Sequence, residues 1–393
     1  LNTEILNNEV QEFISQHLNS DINALLLKGT NFSQVDTKEI IEQIEAKKRC
    51  EKKLFSWFKS DNIYYPNKLN IEQTSSEITA KYKSGLVSGD AIIDITGGFG
   101  VDCFYFSKVF KTVTHCEINN HLSEIVKHNY QQLKVNNIET IYGDGIEYLK
   151  TTKKTFDWIY IDPSRRHDSK GKVFFLNDCL PNVPEHLNLL FNHSKNILIK
   201  TSPLLDFSVG INELKHIKAI HVVAINNDVK ELLWVLEKDF NTSISIYTVN
   251  FKLDTTETFN FNLDDEKSSN SKYHLPLNYL YEPNSAVLKA GGFHIISNQL
   301  DVFKLHLHSH LYTSAHILEF PGRIFKIESI IPFNKKALKT LAIKKANITT
   351  RNFPESVENL RKKLKIADGG TIYMFFTTNL NDEKIVIITS KVN

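Results

Sequence analysis

The apolar run Ala91-Ile92-Ile93-Asp94-Ile95 ends beside an acid and opens into Thr96-Gly97-Gly98-Phe99-Gly100. Phe104-Tyr105-Phe106 then begins an apolar helical face. A strand that passes through a glycine turn into a helix N-terminus fits a parallel sheet wound with helices, whose strand ends form a crevice for a nucleotide-like ligand. The glycines permit backbone conformations, and an approach to ligand, that side chains resist. Such turns also serve only to join strand to helix, so the surrounding chain has to decide.

The rhythm around the turn favours the sheet. Short apolar runs at Ala91–Ile95, Thr112–Cys116, Ile138–Tyr142, Trp158–Ile161, Asn196–Ile199, Ala219–Ala224 and Glu231–Leu236 alternate with helical stretches such as Leu122–Leu133 and Val183–Asn192. This predicts an α/β domain over residues 71–245, a Rossmann-like doubly wound sheet of seven strands. Residues 1–70 read as a helical region: Phe13, Ile14, Leu18, Ile22, Leu25 and Leu26 recur near helical spacing. Asp36-Thr37 starts a second helix, and a basic helix runs from Ala46-Lys47-Lys48-Arg49 to Trp57-Phe58, its charges best read as a solvated face. Tyr64-Tyr65-Pro66-Asn67 marks a linker. With 393 residues, further units are expected. Two small α+β segments complete the chain, over 246–322 and 323–393. The polar stretch Asp254–Ser271 reads as an extended hairpin or loop; Phe325–Ile331, Ile343–Thr349 and Ile372–Thr377 read as strands around a helix at Ser356–Leu364.

Bulk properties exclude several classes. The chain is 41% hydrophobic and 23% charged, as soluble globular proteins are. No apolar run approaches the roughly 20 residues of a membrane span. The opening Leu1-Asn2-Thr3-Glu4 shows no secretory signal, so a cytoplasmic protein is expected, with no membrane partner. Cys50, Cys103, Cys116 and Cys179 form no Cys-x-x-Cys pair and argue against a zinc site or a disulfide scaffold. His306, His308 and His310 would share one face of a strand, with His316 nearby, but no Cys, Asp or Glu completes a ligand set, and no metal is expected. From Pro321 to Asn393 there are 14 Lys and Arg against 6 Asp and Glu, a net of +8 against +2 for the whole chain. Such asymmetry can mark a nucleic-acid-facing module.

If the glycine turn holds a ligand, other strands should bring acids to the same sheet edge. The second ends at Cys116-Glu117, where a carboxylate would accept both hydroxyls of a ribose. The third ends in Tyr142-Gly143-Asp144-Gly145, and the fourth in Ile161-Asp162-Pro163-Ser164-Arg165-Arg166. Each acid alone could cap a turn or helix. Four acids at four successive strand ends are hard to assign to capping.

This spacing resembles the class I S-adenosylmethionine-dependent methyltransferases across residues 74–240. The resemblance implies that Asp94, Thr96, Gly97, Gly98 and Gly100 receive the amino-acid end of the cofactor. It implies Glu117 on the ribose, Ile118 against the adenine, and Asp144 and Gly145 at the adenine amino group. Thr74 and Ser75 lie in a segment that closes over the cofactor in related RNA methylases. Enzymes of this kind that act on exocyclic base nitrogens carry Asp/Asn-Pro-Pro-aromatic at the fourth strand. Here Asp162 and Pro163 are kept, while Ser164, Arg165 and Arg166 replace the second proline and the aromatic residue. Asp162 is the candidate for assisting proton loss from the acceptor. The arginines could hold a phosphate, stack on a base or pair with nearby acids. After the fifth strand Lys200, Ser202 and Pro203 line the same edge.

Over the whole chain the resemblance is to bacterial class I methyltransferases ending in ferredoxin-like and THUMP-like domains. It rests on Asp162-Pro163-Ser164-Arg165-Arg166, on Tyr281-Glu282-Pro283-Asn284, and on Leu360-Arg361-Lys362-Lys363-Leu364 followed by Asp368-Gly369-Gly370. It implies RNA binding through the C-terminal module and RNA methylation, on a base nitrogen before other atoms. Two alternatives stand beside it. A nicotinamide-dependent (NAD(P)) oxidoreductase fits the glycines in part, but its third glycine falls on Cys103. A catalytically silent RNA-binding protein would account for the basic tail and for Ser164-Arg165-Arg166.

Overall fold

The structure, a computed structural model, describes residues 1–165, 175–339 and 341–392. The chain divides into two compact units: Leu1–Ile217 with Trp234–Phe240, and Lys218–Leu233 with Asn241–Asn393.

In the first unit the predicted strands form at β1 (Ala91–Asp94), β2 (Thr112–Glu117), β3 (Ile138–Tyr142), β4 (Phe156–Ile161) and β5 (Ser194–Thr201). The sixth and seventh are β6 (Ile217–Ile225) and β7 (Asp228–Glu237), and the division between units falls inside β7. Within the first unit the strand order is β3-β2-β1-β4-β5-β7. β1 lies parallel between β2 and β4, with Ile93 opposite both Thr114 and Ile159. Central parallel strands are covered on both faces, which is why Ile92, Ile93, Ile159 and Ile197–Ile199 form near-continuous apolar runs with no exposure. The order reverses direction beside β1, and this is the switch point at which such sheets hold ligands.

Helices return the chain between strands, and several begin on a side-chain cap: Asn119 before Asn120–Gln132, Asp144 before Gly145–Thr151, Asn182 before Val183–His193. The N-terminal helices belong to this unit. Arg49 of helix Thr37–Lys53 pairs with Glu72 at 2.6 Å, and Lys53 donates to the carbonyls of Ile71 and Glu72. Trp57 is fully buried against Phe99 and Phe104. The Tyr64-Tyr65 linker is stitched down on both sides. Asn129 accepts from the Tyr64 amide and donates to its carbonyl, while Gln43 does the same for Tyr65.

In the second unit Asn226 and Asn227, both with positive φ, form the two-residue turn between β6 and β7. Asparagine tolerates that left-handed geometry, which matches strand twist in tight hairpins. β8 (Ser245–Phe251) lies parallel to β6, and β9 (Thr256–Asn262) folds back on β8. The polar stretch after 254 is therefore a hairpin arm, followed by a helix at Leu263–Ser268.

A separate sheet holds β10 (Tyr279–Pro283), β11 (Phe303–Lys304), β12 (Tyr312–Ser314), β13 (Gly322–Pro332), β14 (Lys345–Arg351), β15 (Ala367–Thr378) and β16 (Lys384–Lys391). Its order is β11-β12-β10-β13-β16-β15-β14, so one sheet runs through both small α+β segments. β16 is a strand that the sequence reading did not anticipate. The histidine strand, by contrast, does not form. β11 ends at Lys304, and His306 to His310 make a turn closed by Ser309 donating to the His306 carbonyl and by the positive φ of His310. Among the described residues no group of three His, Cys, Asp or Glu is placed to hold a metal. No described helix is long and apolar enough to cross a membrane.

Candidate active site

The turn after β1 is pinned by its own backbone and by two rings beneath it. Gly97 donates to the Cys116 carbonyl at 2.7 Å. A Cβ at Gly97 would lie 2.3 Å from Nε2 of fully buried His115. Burial pushes that imidazole down to about 4, so it sits neutral under the turn, its Nε2 3.3 Å from the Gly98 carbonyl. Gly100, at φ +77°, would place a Cβ 2.2 Å from the Tyr130 hydroxyl, which donates to the Gly100 carbonyl. Here glycine is required by conformation and by space together.

Asp94 is 2% exposed at the end of β1. Its Oδ1 accepts from the Thr96 amide at 2.8 Å and from the Thr96 hydroxyl at 3.1 Å. Burial drives its carboxyl up to about 7, with the charges of Asp102 and Asp162 adding and the Thr96 bonds opposing. Glu117, at the end of β2, accepts from Gly98 N at 2.8 Å on one oxygen and from Asn119 N at 2.7 Å on the other. Each oxygen keeps a lone pair. Ile118 and Tyr142, at the ends of β2 and β3, are 67% and 63% exposed, two apolar side chains at a sheet edge where a flat ring could cover them. Asp144 caps its helix through Oδ1, accepting from Ile146 N and Glu147 N. A Cβ at Gly145 would lie 2.4 Å from Ile95, so glycine there lets the helix approach the turn.

β4 and β5 bring Asp162 and Lys200 together in an ion pair, with Lys200 Nζ on Oδ2. The Asp162 amide donates to Oγ1 of Thr96 at 2.7 Å, tying this strand end to the glycine turn. Oδ1 of Asp162 has no partner among the described residues. Pro163 is buried and Ser164 exposed. The backbone of Ser164 and Arg165 pairs with Leu180 and Cys179. Arg166 lies outside the described residues. Ser202 is half-buried, its hydroxyl accepting from Leu204 N, and half-buried Pro203 follows it.

Thr74 ends the helix Lys68–Gln73. The Ser75 hydroxyl turns inward, donating to Asp102 at 2.8 Å and accepting from Lys83 at 2.9 Å. This exposes a cluster that sequence reasoning missed. Lys83, with no exposure, lies 3.1 Å from Asp102, and Tyr160 of β4 donates to the same carboxylate. Burial works to raise the Asp102 carboxyl, but the Lys83 and Lys200 ammonium groups and the hydrogen bonds from Tyr160 and Ser75 outweigh it and hold it low. The only sequence signal was an acid in the first turn of the helix after the glycines.

The arrangement fits the adenosylmethionine that the resemblance implies. The fit rests on acceptors with lone pairs to spare at Glu117, on exposed apolar side chains beside them, and on a flat glycine cradle at a helix N-terminus.

Comparison with known proteins agrees in three places. The family described as RNA cap guanine-N2 methyltransferase matches residues 89–165, a ferredoxin-like domain matches 279–321, and a THUMP domain-like family matches 322–391. A ribosomal RNA small subunit methyltransferase J from Francisella tularensis subsp. novicida is 29% identical over 161 residues, 34% of this chain and 67% of that protein. An uncharacterized RNA methyltransferase of Mycoplasma mobile is 26% identical over 33% of this chain, which spans only 36% of that relative. The crystal structure of a Porphyromonas gingivalis W83 protein, provisionally designated a methyltransferase, superposes with a TM-score of 0.90 at 32% identity. That match covers 100% of this chain and 99% of the other.

Proposed function

The chain belongs to the S-adenosylmethionine-dependent methyltransferases that carry ferredoxin-like and THUMP-like modules, and from that premise we propose that it methylates RNA at a base nitrogen, the exocyclic amine of guanine. One observation carries the acceptor: Asp162-Pro163 ends β4 with Oδ1 of Asp162 unpartnered among the described residues, inside the stretch that matches a guanine-N2 family.

When bound, the cofactor supplies a methyl group already activated by its sulfonium. The protein's task is alignment and removal of one proton. Oδ1 of Asp162 accepts an N–H of the amine and turns the nitrogen lone pair toward the methyl carbon. The bound cofactor would supply the methyl group and its sulfur would keep the bond pair, while the proton the amine gives up passes to Oδ1 of Asp162. Thr96 fixes the distance between the two halves of the reaction, because it bonds Asp94 on the cofactor side and the Asp162 amide on the acceptor side.

RNA as the partner is supported by the C-terminal charge. Lys335, Lys336, Lys344, Lys345 and Lys365 are exposed or partly so, and none has an ion pair among the described residues. A cytoplasmic setting suits an RNA substrate and four buried cysteines that form no disulfide. Incubation of total RNA with methyl-labelled cofactor, followed by digestion to nucleosides, tests the reading. Label in N2-methylguanosine is expected. Label in ribose, or in protein and not RNA, overturns it.

A further inference from the structure

We infer that Lys200 and Asp162 together read the acceptor as a donor–acceptor pair, so that guanine enters by its sugar edge, N2–H beside N3, and not by its Watson–Crick edge. This rests on the guanine reading above and goes one step deeper into the same site.

A lone carboxylate at the end of β4 would offer two parallel acceptors. That is the complement of the N1–H and N2–H donors on the Watson–Crick edge of guanine. Here one lone pair of Oδ2 is held by the Lys200 ammonium, whose charge stands beside the other, and the pair cannot easily open. The Lys200 side chain is only 12% exposed, and it approaches Asp102 closely enough to hold that carboxyl low. Asp102 is itself fixed by Lys83, Ser75 and Tyr160. From the other side, the Asp162 amide is committed to Thr96, so the strand end is held and its N–H is not available to a base. The side chain of Asp162 remains 32% exposed, with Oδ1 as its acceptor.

A base therefore meets one acceptor with an ammonium donor beside it. The sugar edge of guanine answers with a donor at N2 and a lone pair at N3. Presented by its Watson–Crick edge, the same base would set the N1–H donor against the ammonium, leaving N1–H desolvated and without an acceptor.

Once the methylated guanosine has been mapped, a synthetic oligonucleotide spanning it tests the inference in three forms: guanosine, 3-deazaguanosine and N1-methylguanosine at that position. The wild-type enzyme should lose roughly 10- to 100-fold in kcat/KM on the 3-deaza form, as for a charge-assisted hydrogen bond, and retain activity on the N1-methyl form. Lys200→Met should be slow on guanosine and no slower on 3-deazaguanosine, and Lys200→Arg should recover part of the difference. Equal wild-type rates on guanosine and 3-deazaguanosine, or loss of activity on the N1-methyl form, overturn the inference while leaving guanine methylation intact. Label found outside guanine would instead remove the reading on which it rests. The wild-type comparison needs no variant, so a Lys200→Met protein that failed to fold would not protect the idea.

Discussion

Each unit contains a buried carboxylate centre, and the two differ in what their oxygens still have to do. In the second unit Glu282, from the Tyr281-Glu282-Pro283-Asn284 motif, is 3% exposed and lies between two arginines. Arg323 donates from Nε at 2.7 Å and from Nη2 to one oxygen; Arg351 donates from Nε at 3.2 Å and Nη2 at 2.9 Å to the other. All four acceptor positions are filled by protein. Asn284 likewise serves the fold, capping the helix at Ser285–Ala290 and donating to Glu257. In the first unit Glu117 takes one backbone N–H on each oxygen, and Asp162 takes one lysine on one oxygen. In the sequence Glu282 was marked only by a resemblance, whereas Glu117 and Asp162 were marked by their places at strand ends. A saturated carboxylate holds elements together, and one with acceptor capacity left at a sheet edge is open to a ligand.

That difference is exposed most directly by paired alanine substitutions. Asp162→Ala should lower kcat by about 10²- to 10⁴-fold while leaving cofactor affinity unchanged, because it removes a group used at the acceptor. Single-turnover labelling beside calorimetric titration reads the two quantities separately, and a normal rate would remove Asp162 from the mechanism. Glu282→Ala should do the reverse. It strands two guanidinium groups in the sheet, a loss of roughly 3 kcal/mol, at the low end for a broken buried pair because both arginines keep over a third of their exposure. The midpoint of urea unfolding of the full chain should fall, with cofactor affinity held. A Glu282→Ala protein of unchanged stability and altered cofactor binding would break the contrast.

Glu117→Gln sharpens it. The amide keeps the shape and one acceptor oxygen, but it turns an NH₂ toward either Gly98 N or Asn119 N, each now an acceptor-bound donor. Cofactor affinity should drop roughly 10- to 100-fold, the range expected for hydrogen bonds to a charged group. The rate at saturation should change little. Adenosine as a competing ligand should weaken in parallel, since both would use the same carboxylate.

What could be read in advance divides along physical lines. β1, β4 and β5 were legible because strands buried on both faces carry near-continuous apolar runs, whereas the edge strand β3 has no buried residue and was read from its place in the alternation. Glu117, Asp144 and Asp162 were legible because strand ends at one sheet edge are fixed by topology. Lys83 was not. It follows Lys81 and Tyr82 in a short polar helix, and only tertiary packing puts it out of solvent against Asp102. The histidines misled for the opposite reason. Alternation is a property of strands, but β11 stops after two residues and the alternating segment has no ladder to join. β16 was missed although Ile385, Val386 and Ile387 are buried within its sheet and the turn Asn379-Leu380-Asn381-Asp382 precedes it. The Arg166 reading falls outside the described residues.

The smallest expected effect concerns Asp94, which is buried like Glu282 but is paired with no cation among the described residues. Its carboxyl is pushed up to about 7, above the roughly 3.9 of an unfolded aspartate. The folded state therefore binds more protons than the unfolded one between those values. The contribution of Asp94 to stability is full below about pH 4 and is lost as pH rises through about 7. The amino-acid end of the cofactor carries an ammonium, and a cation against Asp94 favours the ionised carboxylate. Below about pH 7 binding must then release a proton, and affinity should fall by up to tenfold for each pH unit of acidification, levelling off above neutrality. Calorimetric titration at about pH 6 in two buffers of different ionisation enthalpy counts the released proton directly. Asp94→Asn, neutral at every pH, should bind more weakly near neutrality, release no proton and show a flat profile. The same slope in wild type and Asp94→Asn would assign the proton to another group and separate Asp94 from the cofactor.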